Sequence, residues 1–224
     1  MATDTVTLEG YVGAGSLLSD GLVQARPRMG NFGEWMTSRL NASFYEHVLR
    51  GNAFVYSTPA AGAALIAPTT TNAPMIWNPA GSGKNLVLHK IEFGYVSTTW
   101  APGHIEYGVV TGAGSQIGTG APIVSLTQVA GVNLLVGGGN SSVMRFAPTT
   151  LVVIAAPTFL CTSGISAQTG TAAAVLPPYK MEDMIDGHII IPPGVAFFVM
   201  ANAAIAGVVC TSIYGVEVPV APTA

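Results

Sequence analysis

The segment DGHIIIPPGVAFFVMANAAIAGVV, residues 186–209, is the most hydrophobic part of the chain and carries no Lys or Arg. A membrane-spanning helix needs about 20 apolar residues, so length alone permits a span. The interior does not. Pro192 and Pro193 would each cost about 3 kcal/mol inside a helix. A start beyond them leaves Gly194, Asn202, Gly207 and Gly215 in the span. No Lys or Arg follows Lys180, while Asp183, Asp186 and Glu217 flank the segment, so the cationic anchor of a cytoplasmic side is missing. The segment reads instead as sheet: HIII, a break at PPG, a strand VAFFVMA, a turn near NAAIAG and a last strand VVCTSIYGVEV. No membrane partner is expected.

From Ala53 onward the whole chain has that texture, with short apolar runs bounded by Gly, Pro, Asn and Thr. In KNLVLHKIEFGYV, period-two alternation sets Val87, His89, Ile91, Phe93 and Tyr95 on one face and Lys90 and Glu92 on the other. GHIEYGVV opposes Ile105, Tyr107 and Val109 to His104 and Glu106, and SVMRFAP opposes Met144 and Phe146 to Arg145. CTSIYGVEV sets Tyr214, Val216 and Val218 against Glu217. Further strands are expected at AFVYS, AALIA, APMIWN, PIVSLT and TLVVIAAPTFLCT. The Gly-, Ser- and Thr-rich connections NPAGSGKN, TGAGSQIGTGAP, VGGGNSS and SGISAQTGTAAA suit tight turns and loops. Many short strands with almost no helical periodicity predict an all-β sandwich or barrel over residues 54–224. Residues 1–53 read as an arm with one short helix in SFYEHVLRGN, where Ser43 and Glu46 have capping-box spacing and Gly51 is a natural stop. A helix of about two turns cannot stand alone in water, so it must dock.

Charge bounds the function. The 224 residues include 8 Lys plus Arg and 11 Asp plus Glu, a charged fraction of 8 % against a norm of about 25 %. Tyr107–Met144, Phe146–Tyr179 and Gly187–Val216 contain no charged side chain at all. Surfaces so neutral are expected to be covered by other subunits. A net charge of −3 offers no basic patch for phosphates, so nucleic acid is not expected as a partner. The first 21 residues lack the basic n-region and apolar run of a secretory signal, and in such a chain Cys161 and Cys210 are expected as thiols.

Motifs for chemistry fail on spacing. AGSGKN, residues 80–85, resembles a phosphate-binding loop, but Asn78 stands at the first glycine position and Asn85 where a Ser or Thr is needed. A turn with a solvent-exposed Lys84 is the expectation. His47, His89, His104 and His188 lack metal-ligand spacing and no CxxC occurs, although His89 and His104 could meet in space. YKMEDMIDGH gathers Glu182, Asp183, Asp186 and His188, which would suit a hydrolase only if Asp183, Asp186 and His188 converge in a pocket; a solvated loop entering a strand looks the same. No GxSxG elbow is present. No catalytic residue, metal or cofactor is expected. Residues 1–53 hold four of the five arginines, interleaved with aromatics. Arg26, Arg28, Trp35, Arg39, Phe44, Tyr45 and Arg50 are therefore the candidate protein-interface residues of the arm, with packing on the arm's own sandwich as the alternative.

Three passages, FYEHVLRGNAFVYSTPAAG, MIWNPAGSGKNLVLHKIEFGYVS and DGHIIIPPGVAFFVMANAAIAGVVCTSIYGVEVPV, together resemble structural proteins of tailed bacteriophages. In these a helical arm leads into a jelly-roll sandwich. The resemblance spans about residues 43–220 and rests on structural motifs. It implies a virion protein on the outer capsid surface, a decoration (cement) protein that binds the major capsid protein as a homotrimer, touches neighbouring decoration trimers and needs no active site. The rival reading is a receptor-binding jelly-roll module of a tail fibre or spike, in which loops such as VSTTWAPGH around Trp100 would form a saccharide platform.

Overall fold

Two antiparallel sheets account for most of the described residues beyond Ser43. The computed structural model describes residues 10–11, 24–25, 28–29, 35–36, 44–65, 74–97, 103–111, 129–138, 140–148, 157–167, 180–202 and 207–220. The chain divides into two units, Met1–Ser43 and Phe44–Ala224. In the first, β1 (Gly10–Tyr11) pairs with β2 (Gln24–Ala25) and β3 (Arg28–Met29) with β4 (Trp35–Met36). The second unit begins with α1 (Tyr45–Leu49), so the short helix lies on the sandwich side of the division.

The sandwich strands are β5 (Ala53–Ser57), β6 (Ala63–Ala64), β7 (Met75–Trp77), β8 (Lys84–Ser97), β9 (Gly103–Thr111), β10 (Val129–Ala130), β11 (Val132–Asn133), β12 (Arg145–Ala147), β13 (Thr158–Ala167), β14 (Lys180–Met184), β15 (Ile190–Ile191), β16 (Val195–Ala201) and β17 (Val208–Pro219). One sheet runs β10-β12-β7-β16-β9-β13; the other runs β11-β5-β17-β8-β14, with β15 on β8 and β6 on β17. The all-β sandwich expected from the strand pattern is the observed class. Its wiring is nested: β9 pairs with β13, β8 with β14, β7 with β16 and β5 with β17. The first half of the sandwich therefore folds back along the second like one long hairpin rolled into two layers.

Side chains from both sheets meet in one core, including Phe54, Tyr56, Leu88, Phe93, Tyr107, Phe146 and Phe197. Each large apolar side chain so buried contributes about 1.5–3 kcal/mol relative to exposure. The opening hydrophobic segment supplies β15, a turn at Pro192–Gly194, β16 and the start of β17. Residues 203–206, in the expected turn, lie outside the described set. Phe197 and Val199 of β16 face the main core, while Ala196 and Phe198 join Met75, Trp77 and Ala147 in a second buried cluster. A strand covered on both faces has no polar side, which is why VAFFVMA reads as a continuous apolar run. Among the described residues no helix is long and apolar enough to cross a membrane.

The alternation expected for β9 and for Met144–Phe146 holds: Ile105, Tyr107, Met144 and Phe146 are buried. In β8 it holds only for Ile91 and Phe93. Leu86 and Leu88, not Val87 and His89, face the core. The cause is a register shift: Tyr214 pairs with Lys90, but Gly215 pairs with Leu88, leaving His89 as an extra residue. An inserted residue exchanges the two faces of the strand. The expected phase of β17 is also corrected, because Ile213 and Glu217 are fully buried while Tyr214 and Val218 are half-buried. Gly215 sits against this bulge, where a Cβ would come within 2.7 Å of Leu86 Cδ1 and 3.0 Å of the Val87 carbonyl oxygen.

Asn78 ties the NPAGSGK turn to the IPPG turn. Its Nδ2 donates to the carbonyls of Lys84 (2.8 Å) and Ile191 (2.9 Å), and its Oδ1 accepts from Ser82 Oγ (2.6 Å). The residue that spoils the phosphate-loop spacing is thus a fully buried clasp. Asn78→Asp would aim a carboxylate at two carbonyl oxygens. A loss of about 3 kcal/mol is expected, at least as large as for Asn78→Ala, measured by urea denaturation.

Candidate interaction surface

α1 is shorter than expected. The N-cap is Phe44, without a side-chain hydrogen bond, and Ser43 lies outside the described residues. Glu46 pairs with Arg50, Oε1 to Nη2 at 2.7 Å, an exposed i,i+4 pair that contributes only a few tenths of a kcal/mol. Gly51 ends the helix at φ +68°, a left-handed conformation that favours glycine.

The helix is held from its two ends. Phe44 packs against His89, ring centroids 3.6 Å apart and planes tilted by 42°. At the other end the Gly51 carbonyl accepts from Asn133 Nδ2 (2.9 Å) and Asn140 Nδ2 (3.2 Å), and the Arg50 carbonyl from Asn140 Nδ2 (3.1 Å). Asn133 is the last residue of β11, and Asn140 lies in the connection from β11 to β12. That connection is fixed further by Leu134 N to Ala53 O, Leu135 N to Asn133 Oδ1 and Gly138 N to Leu135 O. Its far end reaches Glu217, which is fully buried. Glu217 Oε1 accepts from Ser142 Oγ (2.6 Å), the Val143 N–H (3.0 Å) and Tyr56 Oη (3.3 Å), and Oε2 pairs with Lys84 Nζ at 3.0 Å. Lys84 is therefore a half-buried partner of a core carboxylate, a correction to the solvent-exposed turn lysine expected from sequence.

Because Asn133, Asn140 and Ser142 are turned onto backbone and carboxylate, β11 and the connection after it show their apolar side chains to solvent. Val136 is 97 % exposed and Val132 63 %, with Leu135 also exposed, and α1 adds Tyr45 and Leu49. An ordinary surface loop does the reverse. Apolar side chains on a pre-ordered loop lose little further freedom on docking, which favours a contact surface.

Of the interface residues expected from sequence, Phe44, Tyr45 and Arg50 sit together on α1: Phe44 is a packing anchor, while Tyr45 and Arg50 are exposed. Arg28 and Trp35 lie in β3 and β4, where Arg28 is in register with Met36 and Met29 with Trp35. Arg26, Arg39 and Trp100 are outside the described residues, as is the expected strand PIVSLT. Sequence reasoning missed Val132, Leu135, Val136 and Glu217. The signal for the loop was NLLV set directly against GGG.

The ionisable groups of YKMEDMIDGH separate. Asp183 accepts from the buried Tyr107 hydroxyl at 2.7 Å, Asp186 is exposed with Oδ1 3.8 Å from His89 Nδ1, and His188 is exposed. On the outer face of the seven-stranded sheet, Lys90 contacts Glu92 and Glu182 and lies over the Tyr214 ring, 4.6 Å from its centroid. His89 and His104 do not meet: they belong to different sheets, and His104 Nε2 is 2.7 Å from Glu106 Oε1. Among the described residues no His, Cys, Asp and Glu group could hold a metal ion. Cys161 and Cys210 are free thiols.

Burial holds the Tyr56 and Tyr107 phenols well above their ordinary range, with Asp183 adding to the effect on Tyr107, and it pushes His89 below its usual value. The two tyrosines keep their protons in the fold but lose them near pH 10 when unfolded. Stability is therefore full below about pH 10 and falls above it, with a slope of up to about 2.7 kcal/mol per pH unit for two groups. Tyr107→Phe is expected to halve that slope in urea titrations between about pH 9 and pH 12.

Comparison with protein families, with curated proteins and with solved structures returned no match.

Proposed function

We propose that this chain is a virion structural protein of the capsid decoration (cement) type, a jelly roll that binds the outer surface of a phage head as a homotrimer and stabilises the shell. The observation that carries the reading is the nested strand order β5-β17-β8-β14 against β7-β16-β9-β13. It supports a jelly roll, an architecture at home in viral shells. The exposed apolar residues of α1 and the β11–β12 connection, in a chain with so little charge, support a role in contacts between proteins. Tyr45, Leu49, Leu135 and Val136 would face the major capsid protein. Attachment through several subunits at once turns weak contacts into a durable one.

The test is the mass of the isolated protein by light scattering, followed by sedimentation with shells that lack it. A trimer that co-sediments at saturable stoichiometry, and that loses binding on Val136→Asp without losing its melting transition, is the expected result. A trimer that ignores shells and binds host cells or glycans would overturn the reading in favour of receptor recognition.

A further inference from the structure

The bulge in β8 leaves His89 without a register partner on β17, yet its backbone is fixed. Its carbonyl accepts from both the Ile185 N–H and the Asp186 N–H at 2.8 Å, and the same turn closes on the Leu88 carbonyl through the Gly187 N–H, also at 2.8 Å. Asp186 adopts φ +45° in that turn, a left-handed conformation that Asp tolerates better than most residues. Its carboxylate is thereby held beside the imidazole without bonding to it. Asp186 Oδ1 lies 3.8 Å from His89 Nδ1, beyond hydrogen-bonding distance.

The ring fastens one end of α1. Phe44, the N-cap residue, has no side-chain capping bond, and none of the residues Tyr45–Leu49 is buried. The contact of Phe44 with the His89 ring therefore holds the N-terminal end of the helix, as Asn133 and Asn140 hold the other. Nδ1 of His89 is shut off from solvent and has no hydrogen-bond partner, so the neutral ring is best served with its proton on Nε2. A second proton must go to Nδ1, where no acceptor is within reach. The imidazolium has to draw the Asp186 carboxylate inward or swing toward water. Either movement takes the ring from under Phe44.

The surrounding charges set the direction. Burial disfavours the charged ring most; Asp186 and Glu182 favour it, Lys90 opposes it, and the net shift is downward. From α1 itself the nearest ionisable side chain is His47, whose ring centroid is 6.4 Å from that of Phe44. A released ring titrates near the ordinary value of about 6.5. Docking is therefore complete above about pH 6.5 and weakens as pH falls below it, because the released form binds the proton more readily.

We propose that His89 is a proton-operated catch for α1: the neutral ring holds Phe44, and protonation releases the N-terminal end of the helix. Tyr45 and Leu49 form the α1 part of the contact surface, so acid dismantles that part and leaves the β11–β12 connection in place. That consequence, though not the catch itself, rests on the functional reading above.

Hydrogen exchange on the isolated protein tests the catch, with rates expressed as protection factors so that the intrinsic pH dependence cancels. The Val48 and Arg50 amides, bonded to the Phe44 and Glu46 carbonyls, should lose protection about threefold or more between about pH 7.5 and about pH 5, while β16 amides hold theirs. Unchanged protection in α1 overturns the proposal. His89→Phe keeps a ring under Phe44 but cannot titrate, so it should hold α1 equally at both pH values. A folded His89→Phe chain that loses protection as the parent does assigns the effect to another group, His47 first, and also overturns it. Nuclear magnetic resonance of the parent supplies a measurement free of any folding artefact. The His89 and Phe44 ring protons should shift together with a midpoint below about 6.5; separate midpoints, or a shared one at or above that value, sink the idea. All three readouts use the chain alone, so a failure of the cement reading would leave them untouched.

Discussion

Glu217→Ala lowers the unfolding free energy by about 3–5 kcal/mol, the cost of breaking a buried charged network. At roughly 2–4 °C per kcal/mol for a domain of this size, the melting temperature falls by about 10 °C. The magnitude follows from what is orphaned: the Ser142 hydroxyl, the Val143 N–H and the Lys84 ammonium all lose their acceptor at once, while the Tyr56 hydroxyl keeps Ser142 Oγ at 2.8 Å. Lys84 is partly exposed and recovers water; the Val143 N–H sits against the core and recovers less. Glu217→Gln keeps one acceptor oxygen, so its loss should be smaller. The same variants loosen the β11–β12 connection, so amide exchange at Leu134, Leu135 and Val143 should accelerate more than in β16. Scanning calorimetry with hydrogen exchange reads both effects. A melting temperature within a degree of the parent would show that the carboxylate is replaceable by water.

Val216→Asp is the second large effect. Val216 is buried, in register with Val87 on one side and Ala53 on the other. An unpaired carboxylate there costs about 3 kcal/mol or more. The introduced group's pKa is raised in the fold, so the deficit is full at neutral pH. It shrinks as pH falls toward the unfolded value of about 4. Urea midpoints at neutral and acidic pH check both size and sign, and an unchanged midpoint at neutral pH would mean that the position is solvated.

These residues show why some of the fold was legible and some was not. Strand alternation in β9 and around Arg145 was readable because those segments have one buried and one wetter face and no insertion. β8 was misread at Val87 and His89 because a bulge exchanges its faces without changing the local sequence pattern. Glu217 was assigned to the outer face because a carboxylate ordinarily belongs in water. Nothing near it in sequence announces that Lys84, Ser142 and Tyr56 converge on it from distant segments. The candidate surface was half legible: Tyr45 and Arg50 stood out by type, whereas Val136 was read only as part of the VGGGNSS connection, with no role of its own.

What the sequence determined by itself is the class of fold. Proline and glycine breaks, period-two runs and the lack of helical pattern act locally, and local constraints are enough to impose strands and turns. The scarcity of charge likewise needs no coordinates to point toward covered surfaces. The tertiary structure alone decided the nested pairing of the strands, the inward turn of Asn78 and Glu217 and the outward turn of Val136. Those depend on which distant backbone groups come within hydrogen-bonding distance, and that distance exists only once the two sheets have closed on each other.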